Sequence, residues 1–177
     1  MFLASIDFAI NVSLPIIRDS FQTNLVSVQW IIIAYHASRS SLGFAAGGIA
    51  DRFGLRELFL VGVGSYTIAV GLISLQSDLH GVVVLRALQG VGAGILFTAA
   101  PALVTRAFRP SERGTALGIT LAAIAVGQIV GTLGGGWLSS NLGWESIFWS
   151  RVPIGAAIFA IALIALKPTK TPEVAAV

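Results

Sequence analysis

The chain has 177 residues, 55% of them hydrophobic and 11% charged, with a formal net charge of +3 and a mean hydropathy of +0.87. A soluble domain carries about a quarter of its residues as charges, so this composition excludes an ordinary water-facing surface and points to an all-α integral membrane protein. With no cysteine and two isolated histidines, His36 and His80, it also excludes a disulfide framework and argues against a zinc or haem centre.

A helix crosses a bilayer with about 20 mostly apolar residues, and such runs occur at about 2–17, 28–50, 58–76, 82–105, 113–138 and 147–166. Residues 1–166 thus predict a six-helix transmembrane bundle, followed by a polar tail over 167–177. The connectors are short, so neighbouring spans run antiparallel. The even links and the tail hold Arg52, Arg56, Arg106, Arg109, Arg113, Lys167 and Lys170; the odd links hold Arg18 and, at a span edge, Arg151. This split of seven against two places the even links and both termini on the cytoplasmic side of the cell membrane.

The first span is short and polar, with Ser5, Asp7, Asn11 and Ser13; it is either tilted and sheltered by its neighbours or part of a longer helix. Asp7 lies about 15 Å from the outer end of its helix and Arg39, in the second span, at about the same depth. Arg86 in the fourth span is shallower. A charge inside the bilayer costs several kcal/mol, so all three are expected to face the bundle interior, with Asp7 pairing with either Arg39 or Arg86. Asn11, one turn from Asp7, extends the same polar face. The pair is either a static packing device or a carboxylate whose protonation follows transport, and the second reading is favoured because intramembrane ionisable groups usually mark a pathway.

The second link, "GGIADRFGLRE", reads as a capped hairpin in which Gly54 supplies the turn and Asp51 lies near the start of the next helix. In the fourth span, "VVVLRALQGVGAG" places Gly90 and Gly94 on the stripe below Arg86, leaving room for a neighbouring backbone. GxGxG within a long apolar helix is not a dinucleotide fingerprint. Before the fifth span, Ser111 is the expected helix cap, with Glu112 in its first turn. Within that span Gly127, Gly131 and Gly135 recur every four residues as a bare face, for plain packing or for sliding. Trp137, Trp144 and Trp149 around the fifth link are expected to form an interfacial aromatic belt.

Four stretches in order resemble the major facilitator superfamily, in particular its fourteen-helix drug:proton antiporter branch. They are "IDFAINVSLP" (6–15), "GGIADRFG" (47–54), "LRALQGVGAG" (85–94) and "GTLGGG" (131–136). The resemblance implies that Asp7, Asn11, Arg86 and Gln89, joined by Arg39, line a central cavity and that Arg86 influences proton transfer. It implies a cytoplasmic gating loop of Gly47, Asp51, Arg52, Gly54 and Arg56. It also implies a helix-packing motif of Gly90, Gly94, Gly127, Gly131, Gly134 and Gly135, with the fifth-span glycines at the interface between two halves. Thr132 stands where the branch usually has proline, Glu57 in a usually basic stretch, Arg39 in an unusual place, and Arg151 where asparagine is common.

Members of that family carry two six-helix halves and this chain carries one, so a fragment or truncated gene is expected, or a half that pairs with another six-helix half. The expected function is secondary active transport, proton-coupled export of a small organic compound by alternating access. Its partners would be that compound, protons and membrane lipid, with no nucleic acid, cofactor or metal. The alternative is a structural or regulatory membrane module without transport of its own. An intramembrane enzyme is rejected, since no HExxH and no His/Asp/Ser cluster is present.

Overall fold

The computed structural model describes residues 1–166, with the side chains of residues 43–47, 49–51 and 53 left aside. The tail assigned to 167–177 lies outside the described residues.

The first span is broken. Helix α1 (Phe2–Ser5) passes through a 3-10 turn (Ile6–Phe8) into α2 (Ala9–Ser20), which carries Pro15. The second is α3 (Leu25–Phe53), the third α4 (Leu55–Ile73), the fourth α5 (Leu79–Ala107) and the fifth α6 (Arg113–Leu142). The sixth is α7 (Ser146–Trp149) followed by α8 (Arg151–Ala165). Among the described residues, α4, α5, α6 and the stretch Ser146–Ala165 are long and apolar enough to cross a membrane. At 29 residues, about 43 Å, α3 is also long enough.

Several helices run past their apolar stretches, because a helix continues into the headgroup region where polar side chains are at home. The clearest correction is at the second link. Asp51 lies in the last turn of α3 rather than at the start of α4, since α3 continues to Phe53 and Gly54 alone breaks it. Gly54 has φ +93° and ψ 146°, a region that side-chain-bearing residues avoid. Gly54→Ala is therefore expected to destabilise the hairpin by about 1–3 kcal/mol, read as a lower midpoint of thermal unfolding in detergent. Ser111 is likewise not the cap of α6. Glu112 occupies that position, and its carboxylate accepts from the Arg109 backbone N–H at 3.4 Å. At α5 the cap is Asp78, which accepts from Gly81 N–H at 2.8 Å.

Helix α5 is the central element, packed along both α3 and α4. The first span lies against α6, and α4 lies against α8. Ile10, Ile31, Tyr35, Tyr66, Val70, Ala93 and Phe148 belong to one buried core that draws on several spans. The outside is apolar too: Ile164 is 88% exposed and Leu133 72%. Such a surface suits hydrocarbon, where no hydrophobic penalty attaches to it.

The seam between the first span and α6 is closely packed. A Cβ on Gly131 would stand 2.5 Å from the Ile6 carbonyl oxygen, and one on Gly127 2.9 Å from that of Phe2. Gly135 meets Ala9 in the same way, and Ser13 donates to Ser139 Oγ at 2.9 Å to continue the line. This contact is internal to the described bundle. Gly134 does not belong to it, because a Cβ there would meet nothing within 4 Å. The fourth-span glycines are pressed from two sides, Gly90 and Gly94 by the α3 carbonyls of Tyr35 and Arg39, Gly92 by the backbone of Gly62 and Tyr66 on α4.

Candidate functional site: a buried carboxylate shared by two arginines

Asp7 sits in the 3-10 turn that interrupts the first span and is 8% exposed. Four side chains from three other spans converge on its carboxylate. Arg151 Nη1 donates to Oδ1 at 2.6 Å and Arg86 Nη1 to the same oxygen at 2.9 Å. Gln89 Nε2 donates to both oxygens, at 3.1 and 3.2 Å, and the Tyr66 hydroxyl donates to Oδ2 at 3.0 Å. The backbone around the turn is recruited as well: Arg151 Nη2 donates to the Ile6 carbonyl at 3.0 Å and Tyr66 also reaches that of Leu3 at 3.2 Å.

Local sequence arranges the donors. Arg86 and Gln89 are three residues apart on α5, so they share a face, and Arg86 Nη1 lies 2.6 Å from Gln89 Oε1. Arg86 Nε donates to the Ile31 carbonyl of α3 at 3.1 Å, and its guanidinium lies 4.1 Å from the Tyr35 ring centroid. Five of the six spans therefore meet through one carboxylate and its partners, while the sixth participant, α6, holds the first span through the glycine seam. Burying two guanidiniums is affordable only because each is paired and hydrogen-bonded.

Arg39 is not part of this cluster. Its guanidinium lies over the Phe97 ring at 3.7 Å, one helical turn beyond Tyr35, and it has no carboxylate partner among the described residues. Asn11 is exposed and makes no hydrogen bond with Asp7. Asp7, Asn11, Tyr35, His36, Arg39 and Arg86 nevertheless line a common small polar pocket, large enough for a water molecule. In the second link, Arg52 is exposed, while the side chains of Gly47 and Asp51 are outside the description. Arg56 reaches the end of α8, donating from Nε to the Leu166 carbonyl at 2.7 Å and from Nη2 to that of Leu163 at 3.2 Å. It caps the last turn of the sixth span.

Sequence reasoning missed three of these side chains. Arg151 was placed at an outer edge; it is 1% exposed and bonded to Asp7. Tyr66 and Tyr35 stand within long apolar runs, where a hydroxyl needs a partner. Trp144 was assigned to the aromatic belt but is 2% exposed, tilted against Phe21 at 5.2 Å, with its indole N–H donating to Ser20 Oγ at 3.1 Å. It locks the C-terminal end of the first span to the start of the sixth. Trp137 and Trp149 are exposed, as a belt requires.

The model of the family described as the Major Facilitator Superfamily matches residues 1–177. This chain belongs to that superfamily. Among its curated relatives in the superfamily, it is 33% identical to the riboflavin transporter RibZ of Clostridioides difficile, over 88% of this chain and 34% of the relative. It is 31% identical to the tetracenomycin C resistance and export protein of Streptomyces glaucescens, over 88% of this chain and 29% of the relative. It is 30% identical to the multidrug export protein EmrB of Haemophilus influenzae, over 85% and 30% respectively. The chain spans about a third of the length of the curated relatives it matches. As a major facilitator chain it is an all-α membrane protein, with four helices among the described residues long and apolar enough to cross a membrane.

Proposed function

We propose that this chain is one half of a secondary active transporter that exports a small organic compound across the cell membrane, coupled to protons and working by alternating access. The observation that carries the reading is the Asp7 carboxylate, buried in the bundle and shared by Arg86 and Arg151. A mere packing device needs one countercharge. Two guanidiniums on separate spans give the carboxylate alternative partners, so that movement of the fourth or sixth span exposes it to protonation while the remaining arginine stays paired. Substrate sites in such folds lie between repeats, so a second six-helix half is the expected partner, and lipid covers the remaining apolar surface. Arg151 drops out of the outer-link charges, leaving Arg18 there, which supports cytoplasmic even links and termini. Among the relatives, the names of the resistance and multidrug proteins specify export. The reading makes the chain a transporter and not an enzyme.

The test uses energised everted vesicles from cells expressing the chain within its whole reading frame, with ethidium and carboxyfluorescein as probes. At least one dye should accumulate, lose its accumulation when a protonophore collapses the gradient, and fail to accumulate with Asp7→Asn. Accumulation that survives both the protonophore and Asp7→Asn would overturn proton coupling through this carboxylate.

A further inference from the structure

Resting on the transporter reading, we infer that Tyr66 is a positioning residue for the transported proton: its hydroxyl holds that proton on Oδ2 of Asp7 by turning its own hydrogen to the Leu3 carbonyl. The two carboxylate oxygens of Asp7 have unlike partners. Oδ1 faces the Nη1 groups of Arg151 and Arg86, at 2.6 and 2.9 Å, and Gln89 Nε2 at 3.1 Å. Oδ2 faces Gln89 Nε2 at 3.2 Å and the Tyr66 hydroxyl at 3.0 Å. A guanidinium has donors and no acceptor, so a proton on Oδ1 would point at N–H groups that cannot receive it. Gln89 offers its amide nitrogen to both oxygens, and its own carbonyl oxygen is taken by Arg86 Nη1 at 2.6 Å. Among the described residues, Tyr66 is thus the one partner of Asp7 whose contacting atom both donates and accepts.

A second acceptor makes the exchange possible. Tyr66 Oη lies 3.0 Å from Asp7 Oδ2 and 3.2 Å from the Leu3 carbonyl oxygen, and a phenol carries a single O–H hydrogen for the two. With Asp7 ionised, that hydrogen serves Oδ2. When a proton from water adds to an Oδ2 lone pair, one O–H bond forms and no bond in Tyr66 breaks. The phenol O–H turns about its Cζ–Oη bond to the Leu3 carbonyl, and the new Oδ2–H donates to Oη. The hydroxyl of this fully buried residue stays partnered in both states, as burial requires. The other ionisable side chains around Asp7 are Arg86 on α5, Arg151 on α8, and Tyr35, His36 and Arg39 on α3. Helix α6 meets this part of the first span through glycines. The arginines keep their charge throughout, and the Tyr35 hydroxyl has no hydrogen-bond partner, so none of these takes the place of Tyr66. Leu3 stands one turn before Asp7, so the exchange moves a hydrogen bond onto the backbone of the first span.

The experiment follows dye accumulation in everted vesicles as a function of pH at constant gradient, with the chain in its whole reading frame. Tyr66→Phe keeps the ring and loses the hydroxyl. The carboxylate keeps its N–H donors, whereas the neutral acid loses its acceptor, so protonation becomes harder. The pH of half-maximal accumulation should fall by about one unit, a tenfold change in proton affinity. Were Tyr66 merely a donor to the carboxylate, the same variant would ease protonation and move the profile the other way. Trp144→Phe, which loses its hydrogen bond to Ser20, should lower the midpoint of thermal unfolding and leave the pH profile in place. Infrared spectra of the reconstituted protein give a second readout. The C=O stretch of protonated Asp7, identified by its loss in Asp7→Asn, should move to higher wavenumber in Tyr66→Phe, because the acid O–H has lost its acceptor. An alkaline or absent shift of the profile, an acid band that does not move, or an equal shift in Trp144→Phe overturns the inference. Such a failure alongside gradient-driven accumulation by the unaltered protein removes the role of Tyr66 alone. Absence of that accumulation removes the transporter reading, and this inference with it.

Discussion

Asp7→Asn lowers the stability of the detergent-solubilised chain by about 3–5 kcal/mol, because it leaves the buried Arg86 and Arg151 facing a neutral amide. The loss should appear as a lower midpoint of thermal unfolding with helical content retained at low temperature. The two arginines make the prediction sharper than a simple deletion. Removing one surplus charge as well, in Asp7→Asn/Arg151→Gln, should recover a substantial part of the loss, since Arg86 keeps Gln89 Oε1 and the Ile31 carbonyl as acceptors. Besides position 7, the Ile6 carbonyl is the one acceptor Arg151 has among the described residues, and its Nε is already buried without a partner. Asp7→Asn/Arg86→Gln should therefore recover less. If both double variants are as unstable as the sum of their single changes, the three residues are not one coupled unit. Arg39→Gln is the contrasting case, with a small effect on stability, because that guanidinium pairs with no buried carboxylate among the described residues.

The second large effect lies in the seam of the fifth span. Gly131→Ala places a methyl group against the Ile6 carbonyl, and Gly135→Ala places one against Ala9. Backbone cannot step aside as a flexible side chain can, so the first span must move off α6. Each change should cost about 1–3 kcal/mol or more by overpacking, despite the helix propensity gained on replacing glycine. Gly134→Ala, one residue away in the same run, meets open space and should be neutral or stabilising by up to about 1 kcal/mol. Thermal unfolding of the three variants side by side checks the pattern, and equal effects at 131 and 134 would refute it. Because the Ile6 carbonyl also accepts from Arg151, displacement at Gly131 should loosen the carboxylate cluster too. Gly131→Ala and Asp7→Asn should then couple in a double-mutant cycle, whereas Gly134→Ala and Asp7→Asn should add.

Hydropathy and charge counting are sums along the chain, and they were enough for membrane residence, six spans and the burial of Asp7 and Arg86. Burial follows because an ion cannot face hydrocarbon, whatever the packing. The glycine stripe at 127, 131 and 135 was legible for a similar reason, since four-residue spacing places those positions on one helix face.

What the chain order could not decide was which faces meet. Partner choice depends on the rotation of each helix and its register along its neighbours, quantities that no single span encodes. Arg39 matched Asp7 in depth, yet its helix turns it onto Phe97. Arg151 belongs to another depth by its backbone, but an arginine side chain is long enough to cross the difference and reach Asp7. Tyr66, Trp144 and the exclusion of Gly134 from the seam were settled in the same way, by the packing of one span on the next. Sequence alone determined that a charged site exists inside this bundle; only the tertiary structure determined that it is one carboxylate held between two arginines, with a third arginine turned onto Phe97 beside it.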